Sequence, residues 1–208
     1  MEFDPLTPDD IEQRATLFLM NYFAECKTPH VTPIPIESIV EHYLGYDIEI
    51  TDEGVFANPL VLGGIIFDQK KIMVNTATEE HEGRYSFTLA HEVGHHVLHK
   101  AIFESANNDT MVCREDANKL TEERQADYFA GALLMPEEQI RQLYKELELP
   151  QRRYTGRAIK AVARKVMTAG GFSNVSNQAM TVRLRQLGLT KDTKVQLICR
   201  KLLQFLRV

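Results

Sequence analysis

Two histidines spaced four residues apart, His91 and His95, impose the strongest restriction on how this 208-residue chain folds. They lie in a segment, from about Glu79 to His99, whose spacing of apolar residues predicts a helix with an apolar opposite face. Residues i and i+4 of an α-helix lie one above the other, so both rings can direct a nitrogen at one ion. Such a helix needs a neighbouring element to complete the site.

The residue after His91 is Glu92, so residues 91–95 read His-Glu-x-x-His. In sites with this pattern a divalent metal ion lowers the pKa of water towards about 7. A glutamate beside the ion takes a proton from that water and passes it to the leaving amine. The pattern therefore predicts a metallopeptidase with Glu92 as the catalytic base. The alternative is a helix with two incidental histidines, because chance produces the pattern in about 1 % of chains of this size.

A catalytic site of this type needs a third protein ligand and an open fourth position. The best candidate is Glu123, on a helix expected from about Thr121 to Leu134. Asp127 lies four residues further along the same face, where it can accept a hydrogen bond from the far nitrogen of a ligand histidine. The small Ala126 allows the two helices to approach closely. Glu122 is the alternative ligand, and an acidic first helical turn without a metal is the other interpretation.

Two further histidines on the first of these helices are less suitable ligands. His99 lies about 6 Å further along the helix axis than His95, and His96 is on another side of the helix. Leu98 and Ala101 stand where the metzincin pattern has a glycine and a third histidine, which excludes that subclass. Two histidines with one carboxylate favour zinc, and manganese is the alternative metal.

The rest of the chain predicts an α+β fold that is mostly helical, with a small antiparallel sheet. A first helix is expected to start after a cap at Thr7 and to end near Cys26. Two apolar runs, Ile65–Phe67 and Ile72–Val74, flank a polar turn as in a β-hairpin. The other expected elements are a helix at Ile36–Leu44, a strand at Asp47–Thr51, a helix opened by Pro136, and helices at Gly156–Thr168, Ser176–Leu187 and Thr193–Leu206.

Charge is divided unevenly along the chain, whose net charge is −5. Residues 150–208 hold 13 Lys and Arg against one acid, whereas residues 1–149 hold 11 bases and 28 acids. We therefore expect a peptidase domain at 1–149 and a basic helical lobe at 150–208, packed on the acidic remainder of the chain. The alternative is direct DNA binding through 150–208, where Arg183 and Arg185 lie on the second helix of a helix-turn-helix-like pair.

The sequence also predicts where the protein works. No segment has the roughly 20 consecutive apolar residues that span a bilayer, and the first residues lack the pattern of a secretory signal. The three cysteines lie far apart and form no Cys-x-x-Cys pair. We expect a reduced, cytoplasmic location and no contact with a membrane.

Several stretches beyond the 91–95 pattern also resemble those of one known protein family. They are Ile72–Asn75, Arg84, Phe87–His95 with Leu98 and His99, Glu123–Ala130, Leu133–Pro136, Val175 with Ser176, Arg183 with Leu184, and Leu187–Leu189. Together, over about residues 35–190, they resemble the ImmA/IrrE family of cytoplasmic metallopeptidases. The resemblance implies a zincin-like fold of the gluzincin type, in which His91, His95 and Glu123 hold the metal and Glu92 is the catalytic base.

The resemblance also implies a substrate, a helix-turn-helix repressor that is cut once to relieve repression of a mobile element, phage or stress regulon. We expect the repressor to be a separate protein, and an extended stretch of it to pair with the edge of the 65–74 sheet. Tyr128, His96 and Arg84 are the candidate donors to the developing oxyanion. The alternative functions are a DNA-binding regulator and a toxin or docking module that retains a peptidase-like metal site.

Overall fold

The structure of the chain is a computed structural model, which describes residues 6–51, 61–78, 81–105 and 119–191. Helices predominate and a small sheet accompanies them, so the predicted α+β class is confirmed. Within these residues, no helix combines the length and the apolar character needed to cross a membrane. The helix expected at Thr193–Leu206 lies outside the described residues.

The elements follow one another closely along the chain. The helices are α1 (Pro8–Glu25), α2 (Ile36–Ser38, continued by a π-helix at Ile39–Tyr43), α3 (Glu82–Ser105), α4 (Lys119–Leu134), α5 (Glu137–Glu146), α6 (Gly156–Gly170) and α7 (Asn177–Gln186), with a 3-10 turn at Thr76–Thr78. The strands are β1 (Asp47–Thr51), β2 (Gly63–Ile66), β3 (Lys71–Asn75), β4 (Arg152–Arg153) and β5 (Thr190–Lys191).

The first helix begins at the predicted cap. The Asp10 N–H donates to Thr7 Oγ1 at 3.2 Å, and the Thr7 N–H donates to Asp10 Oδ2 at 2.9 Å. Pro8 at the first helical position has no N–H to leave unpaired. These reciprocal bonds satisfy donors that a helix start otherwise leaves without partners, and the helix that follows buries Ile11 and Leu19.

The main sheet has the strand order β1–β3–β2, and β4 and β5 form a separate parallel pair. The predicted hairpin is confirmed: β2 and β3 are antiparallel, with Ile65 opposite Ile72. Strand β1 runs parallel to β3, with Ile48 opposite Ile72, so the sheet is mixed and not antiparallel as expected. The residue pattern of β1 marks a strand but does not encode its direction relative to β3, which depends on the path of the connecting chain.

Helices α3 and α4 pack against each other in antiparallel directions, since His91 lies against Asp127 and His95 against Glu123. Gly94 makes the close approach possible. A Cβ atom at this position would lie 3.0 Å from the Ala126 Cα and 3.1 Å from the Ala126 oxygen. The expected role of Ala126 in bringing the two helices together is therefore confirmed.

Helices α6 and α7 pack on the other helices through one hydrophobic cluster. Its members include Ile11, Leu19, Leu89, Val93, Phe129, Leu133, Ile140, Ala163, Val166, Met180 and Leu184. Between α6 and α7 the chain turns at Gly171, whose φ of +70° favours glycine, and α7 starts at a Ser176 cap. The two-helix arrangement expected around Gly170 and Gly171 is present, while a domain division near residue 150 stays a prediction.

Arg183 lies at the centre of this packing and is fully buried. Its Nη1 donates to Glu12 Oε2 at 2.8 Å, and its Nε donates to the Met135 oxygen at 2.9 Å. A buried guanidinium requires such partners because an unpaired buried charge is costly. Arg183 thus joins α7 to α1 and to the end of α4, and it is not available for the contact with DNA that the helix-turn-helix alternative requires.

Candidate metal centre

Three side chains from α3 and α4 converge on one point. The Nε2 atoms of His91 and His95 are 3.0 Å apart, and each lies 3.3 Å from an oxygen of the Glu123 carboxylate. The side chains are 12 %, 1 % and 9 % exposed, in the order His91, His95, Glu123. The two 3.3 Å distances reach different oxygens of Glu123, Oε2 from His91 and Oε1 from His95. One ligand atom from each of the three residues lies within 4.8 Å of the other two. The three donors are therefore close enough to hold one divalent metal ion, and a tetrahedral ion with three protein ligands takes a fourth ligand from elsewhere.

The choice between the two neighbouring glutamates is decided by which face of α4 each occupies. Among the residues that the structure describes, the group close enough to hold a metal ion consists of His91, His95 and Glu123. Glu122, the alternative ligand, is not in this group. Glu123 is brought there because α4 crosses α3 at Ala126, one turn away on the same face.

Asp127 contacts the far side of the His91 ring, as expected. Its Oδ1 lies 2.9 Å from His91 Nδ1. Because the carboxylate accepts the Nδ1 proton, the Nε2 lone pair of a neutral His91 is directed at the centre. The structure thus brings Asp127 to the place where it can orient a metal ligand.

The electrostatics of the group without a metal ion reflect these contacts. Burial lowers the pKa of His91, but the hydrogen bonds to Asp127 and Glu123 outweigh it and raise the pKa to about 10. Burial likewise raises the pKa of Glu123, but the two histidines outweigh it and hold the pKa well below its usual range. The carboxylates around the histidines therefore favour positive charge at this point, as a bound metal ion would supply.

A second pair of side chains supports His95 in the same way. His95 Nδ1 lies 3.1 Å from His99 Nδ1, and His99 Nε2 lies 2.9 Å from Gln125 Oε1. Burial lowers the pKa of His99 to about 4, so its ring is neutral. The amide oxygen has no proton to give, so His99 Nε2 donates to Gln125 and His99 Nδ1 accepts from His95. The Nε2 lone pair of His95 then faces the centre.

The sequence suggested His99 only as a possible third ligand, and it suggested no role for Gln125. For His99, the signal that was available is its spacing from His95. His99 follows His95 by four residues, so it lies on the same face of α3. Gln125 becomes its partner only because α4 runs antiparallel to α3, a relationship that sequence spacing within one helix does not contain.

Glu92 is buried beside the edge of the main sheet. A Cβ atom at Gly63 would lie 3.2 Å from Glu92 Oε1 and 2.5 Å from Thr88 Cγ2. Glycine at this position therefore allows β2 to pass close to α3, next to the Glu92 carboxylate. The role of Gly63 was not predictable from the sequence, because a strand glycine alone does not reveal which backbone or side chain approaches it.

The three candidate oxyanion donors lie in different surroundings. His96 lies 2.9 Å from the Tyr46 hydroxyl through its Nδ1, and burial lowers its pKa to about 4. The ring of Tyr128 lies against the Arg183 guanidinium, 6.0 Å from the ring centre. Arg84 lines a cavity together with Asp127. Of the three, Arg84 is the one that the structure brings into the same cavity as a residue of the metal centre.

Comparison with known proteins agrees with this geometry. The sequence profile of the IrrE N-terminal-like domain, peptidase family M78, matches residues 24–166, which is more than half of the chain. The match contains α3, α4 and the three converging side chains. No curated protein sequence matches the chain. The chain therefore belongs to the IrrE N-terminal-like family of peptidases and contains a metallopeptidase-like domain.

Proposed function

We propose that this protein is a zinc-dependent endopeptidase that works in the cytoplasm and cuts a helix-turn-helix transcriptional repressor. The observation that carries the enzymatic part is the convergence of His91, His95 and Glu123, with each histidine Nδ1 hydrogen-bonded to a further side chain. The repressor as substrate, and the release of a mobile element, phage or stress regulon, rest on the resemblance to the ImmA/IrrE family.

The roles of the residues follow from their positions. His91, His95 and Glu123 would hold a zinc ion, which would lower the pKa of the attacking water and polarise the scissile carbonyl. Glu92 takes one proton from the water as the oxygen bonds to the carbonyl carbon. The carbon–nitrogen bond then breaks, and the proton held by Glu92 goes to the leaving nitrogen. Arg84 is the candidate of the three that we propose as donor to the oxyanion.

The substrate backbone has a place to bind next to Glu92. Among the described residues, β2 pairs with β3 alone, and the other edge of β2 is the place where we propose that a further strand adds. An extended stretch of repressor can add to this edge by main-chain hydrogen bonds. The close packing of Gly63 against α3 supports this placement, because it brings an added strand near the Glu92 carboxylate.

A small repressor encoded in the neighbouring reading frame would indicate the substrate, and co-expression with such a repressor tests the proposal. The wild-type chain should cut the repressor once, and Glu92→Gln should retain the metal and the fold but lose cleavage by about a hundredfold or more. Elemental analysis should find zinc in the wild type and in Glu92→Gln, and none in His95→Ala or Glu123→Ala.

Glu122→Gln is the matched control, since it removes a carboxylate next to Glu123 that lies outside the converging group. It should retain both zinc and cleavage. Cleavage that survives in Glu92→Gln would refute the assignment of the base. Zinc-loaded protein that cuts no co-expressed repressor would refute the proposed substrate.

A further inference from the structure

A cavity of about 770 Å³ adjoins the metal centre and extends away from it. One side is formed by Thr88 and Phe87 of α3, and another by Asp127 and Gly131 of α4. Asp127 belongs to both places, since it also contacts His91. Thr88, which also lines the cavity, lies beside Gly63, and Gly63 approaches the Glu92 carboxylate as well. The cavity therefore lies next to residues of the proposed catalytic site.

The third side of the cavity is formed by α7 and the residues just before it. These are Val175, Ser176, Gln178, Ala179, Val182 and Gln186. All six lie beyond residue 166, where the family match ends. The basic region that follows residue 150 thus supplies a wall of the site next to the metal centre.

This wall is held firmly in place. The start of α7 packs against α3 so closely that a Cβ atom at Gly83 would lie 2.7 Å from the Ser176 nitrogen. Arg183, the neighbour of Val182, anchors the middle of α7 through its buried bonds to Glu12 and to the Met135 oxygen. The cavity is thus formed in advance, as ligand sites usually are.

Apolar side chains line much of the cavity. Leu62, Phe87, Met135 and Val182 are among its lining residues, and Val182 is 43 % exposed although it is a large apolar side chain. An exposed apolar side chain inside a concave site loses contact with water when an apolar group binds there. The volume lies within the range of about 300–1,000 Å³ of pockets that hold small ligands, so it has room for more than one side chain.

We propose that this cavity is the subsite that receives a large apolar side chain, such as Leu, Met or Phe, of the substrate next to the cut bond. Helix α7 therefore selects which bonds are cut, and Val182 is its specificity-determining residue. This inference rests on the proposed peptidase function, because the occupant is a peptide placed over the metal centre.

A synthetic peptide pool of random sequence, read by mass spectrometry, provides the test. Zinc-loaded Glu92→Gln is immobilised and the captured peptides are sequenced, while the wild type is used to map cut sites in the same pool. We expect Leu, Met and Phe to be enriched in captured peptides and at one fixed position beside the cut. Val182→Arg should reduce this enrichment by about tenfold or more, as the loss of an apolar contact site does.

Two further variants make the result specific. Val182→Phe reduces the space in the cavity and should move the preference towards Ala and Val. Leu17→Arg introduces the same charge at another exposed apolar position, on α1 and outside the cavity lining, and should leave the preference unchanged.

The outcomes separate the inference from the proposed function. Enrichment that is absent from the peptides captured by zinc-loaded Glu92→Gln, or unchanged in both Val182 variants, overturns the subsite. Capture with the expected preference, but no cutting by the zinc-loaded wild type, supports the subsite and refutes the peptidase.

Discussion

Gly94 of α3 and Ala126 of α4 are in backbone contact, and a Cβ atom on Gly94 would lie 3.0 Å from the Ala126 Cα. The contact lies between the two helices that hold the candidate ligands, one residue from His95. The distance between the helices at this point sets the distance from the histidines to Glu123. A glycine inside the His-Glu-x-x-His pattern therefore determines the geometry of the centre, although it contributes no ligand.

Substitution of Gly94 should distort the metal centre, although Gly94 itself contributes no ligand. In Gly94→Ala the added methyl meets backbone atoms of α4, which cannot rotate away, so the helices must separate. We expect a loss of about 1–3 kcal/mol in the free energy of unfolding, as for other overpacked sites, together with weaker zinc binding. Urea unfolding and competition with a zinc chelator measure the two effects.

Gly131→Ala is the control, because a Cβ atom at Gly131 would lie 3.5 Å from the nearest other atom, an ordinary contact. It should leave zinc affinity unchanged and stabilise α4 by up to about 1 kcal/mol. Equal zinc affinities for Gly94→Ala and the wild type would contradict the role assigned to Gly94.

The chain Gln125–His99–His95 should contribute to zinc affinity. Gln125→Leu leaves the His99 Nε2–H without its acceptor, so His99 no longer holds the His95 ring in one orientation. We expect zinc affinity to fall by about 10–100-fold, the usual effect of removing such a partner. The absorption spectrum of the cobalt-substituted protein should change as well, since it reports the ligand geometry.

Gln125→Glu keeps an oxygen acceptor at the same position and should restore most of the affinity. A purely structural role for Gln125 predicts the opposite, because a buried carboxylate is harder to accommodate than a leucine. Weaker zinc binding by Gln125→Glu than by Gln125→Leu would therefore exclude the positioning role.

The stability of the metal-free protein should depend on pH through His91. Its pKa is raised from 6.5 in the unfolded chain to about 10 in the folded one, so its protonation stabilises the fold fully below about pH 6.5 and this contribution is lost as the pH rises through about 10. Asp127→Asn removes one cause of the raised pKa. The stability difference between wild type and Asp127→Asn should be largest near pH 6 and should shrink towards pH 10, as measured by urea unfolding in EDTA.

Zinc provides the control for this titration, because a bound metal requires the neutral ring. In the zinc-loaded proteins, the difference in the free energy of unfolding between wild type and Asp127→Asn should vary little between pH 6 and pH 10. A difference that grows with pH in EDTA would mean that His91 is neutral in the metal-free fold.

The buried ion pair between Arg183 and Glu12 should contribute strongly to the attachment of α7. Arg183→Met leaves the Glu12 carboxylate without its partner in a largely buried place, for which we expect a loss of about 3–5 kcal/mol. Lys71→Met is the matched control, since the side chains of the Lys71–Glu49 pair are 32 % and 48 % exposed. That change should cost less than about 1 kcal/mol.

Urea unfolding of both variants checks this prediction. If Arg183→Met lowers the free energy of unfolding no more than Lys71→Met does, the Arg183–Glu12 pair does not hold α7 in place as a wall of the cavity.

Local structure was predictable where it depends on residues close together in the chain. Thr7 and Asp10 form the expected cap because their reciprocal hydrogen bonds join residues three apart. His91 and His95 face one point because the helix repeat places residues four apart on one side. Glu123 and Asp127 were candidates for the same reason, since they lie four residues apart on one helical face, and the likeness of Glu123–Ala130 to a known family implied the same metal ligand.

Contacts between elements were predictable only in part. The parallel pairing of β1 with β3 depends on how the chain connects them. Arg183 was a candidate for DNA contact from its charge, yet it is buried against Glu12, which is 171 residues away in the chain. Sequence shows the charge of a side chain, but the neighbouring helices decide whether that side chain meets water or a partner.

Among the described residues, the amino-acid sequence by itself determined the approximate positions of the main helices, the hairpin and the two histidines that share one helical face, because these follow from interactions within a few residues. Only the tertiary structure decided that Gln125 supports His99, that Gly63 admits the edge strand beside Glu92, and that α7 forms a wall of the cavity. These relationships depend on the angle and distance at which elements pack, and both are set by the whole core at once.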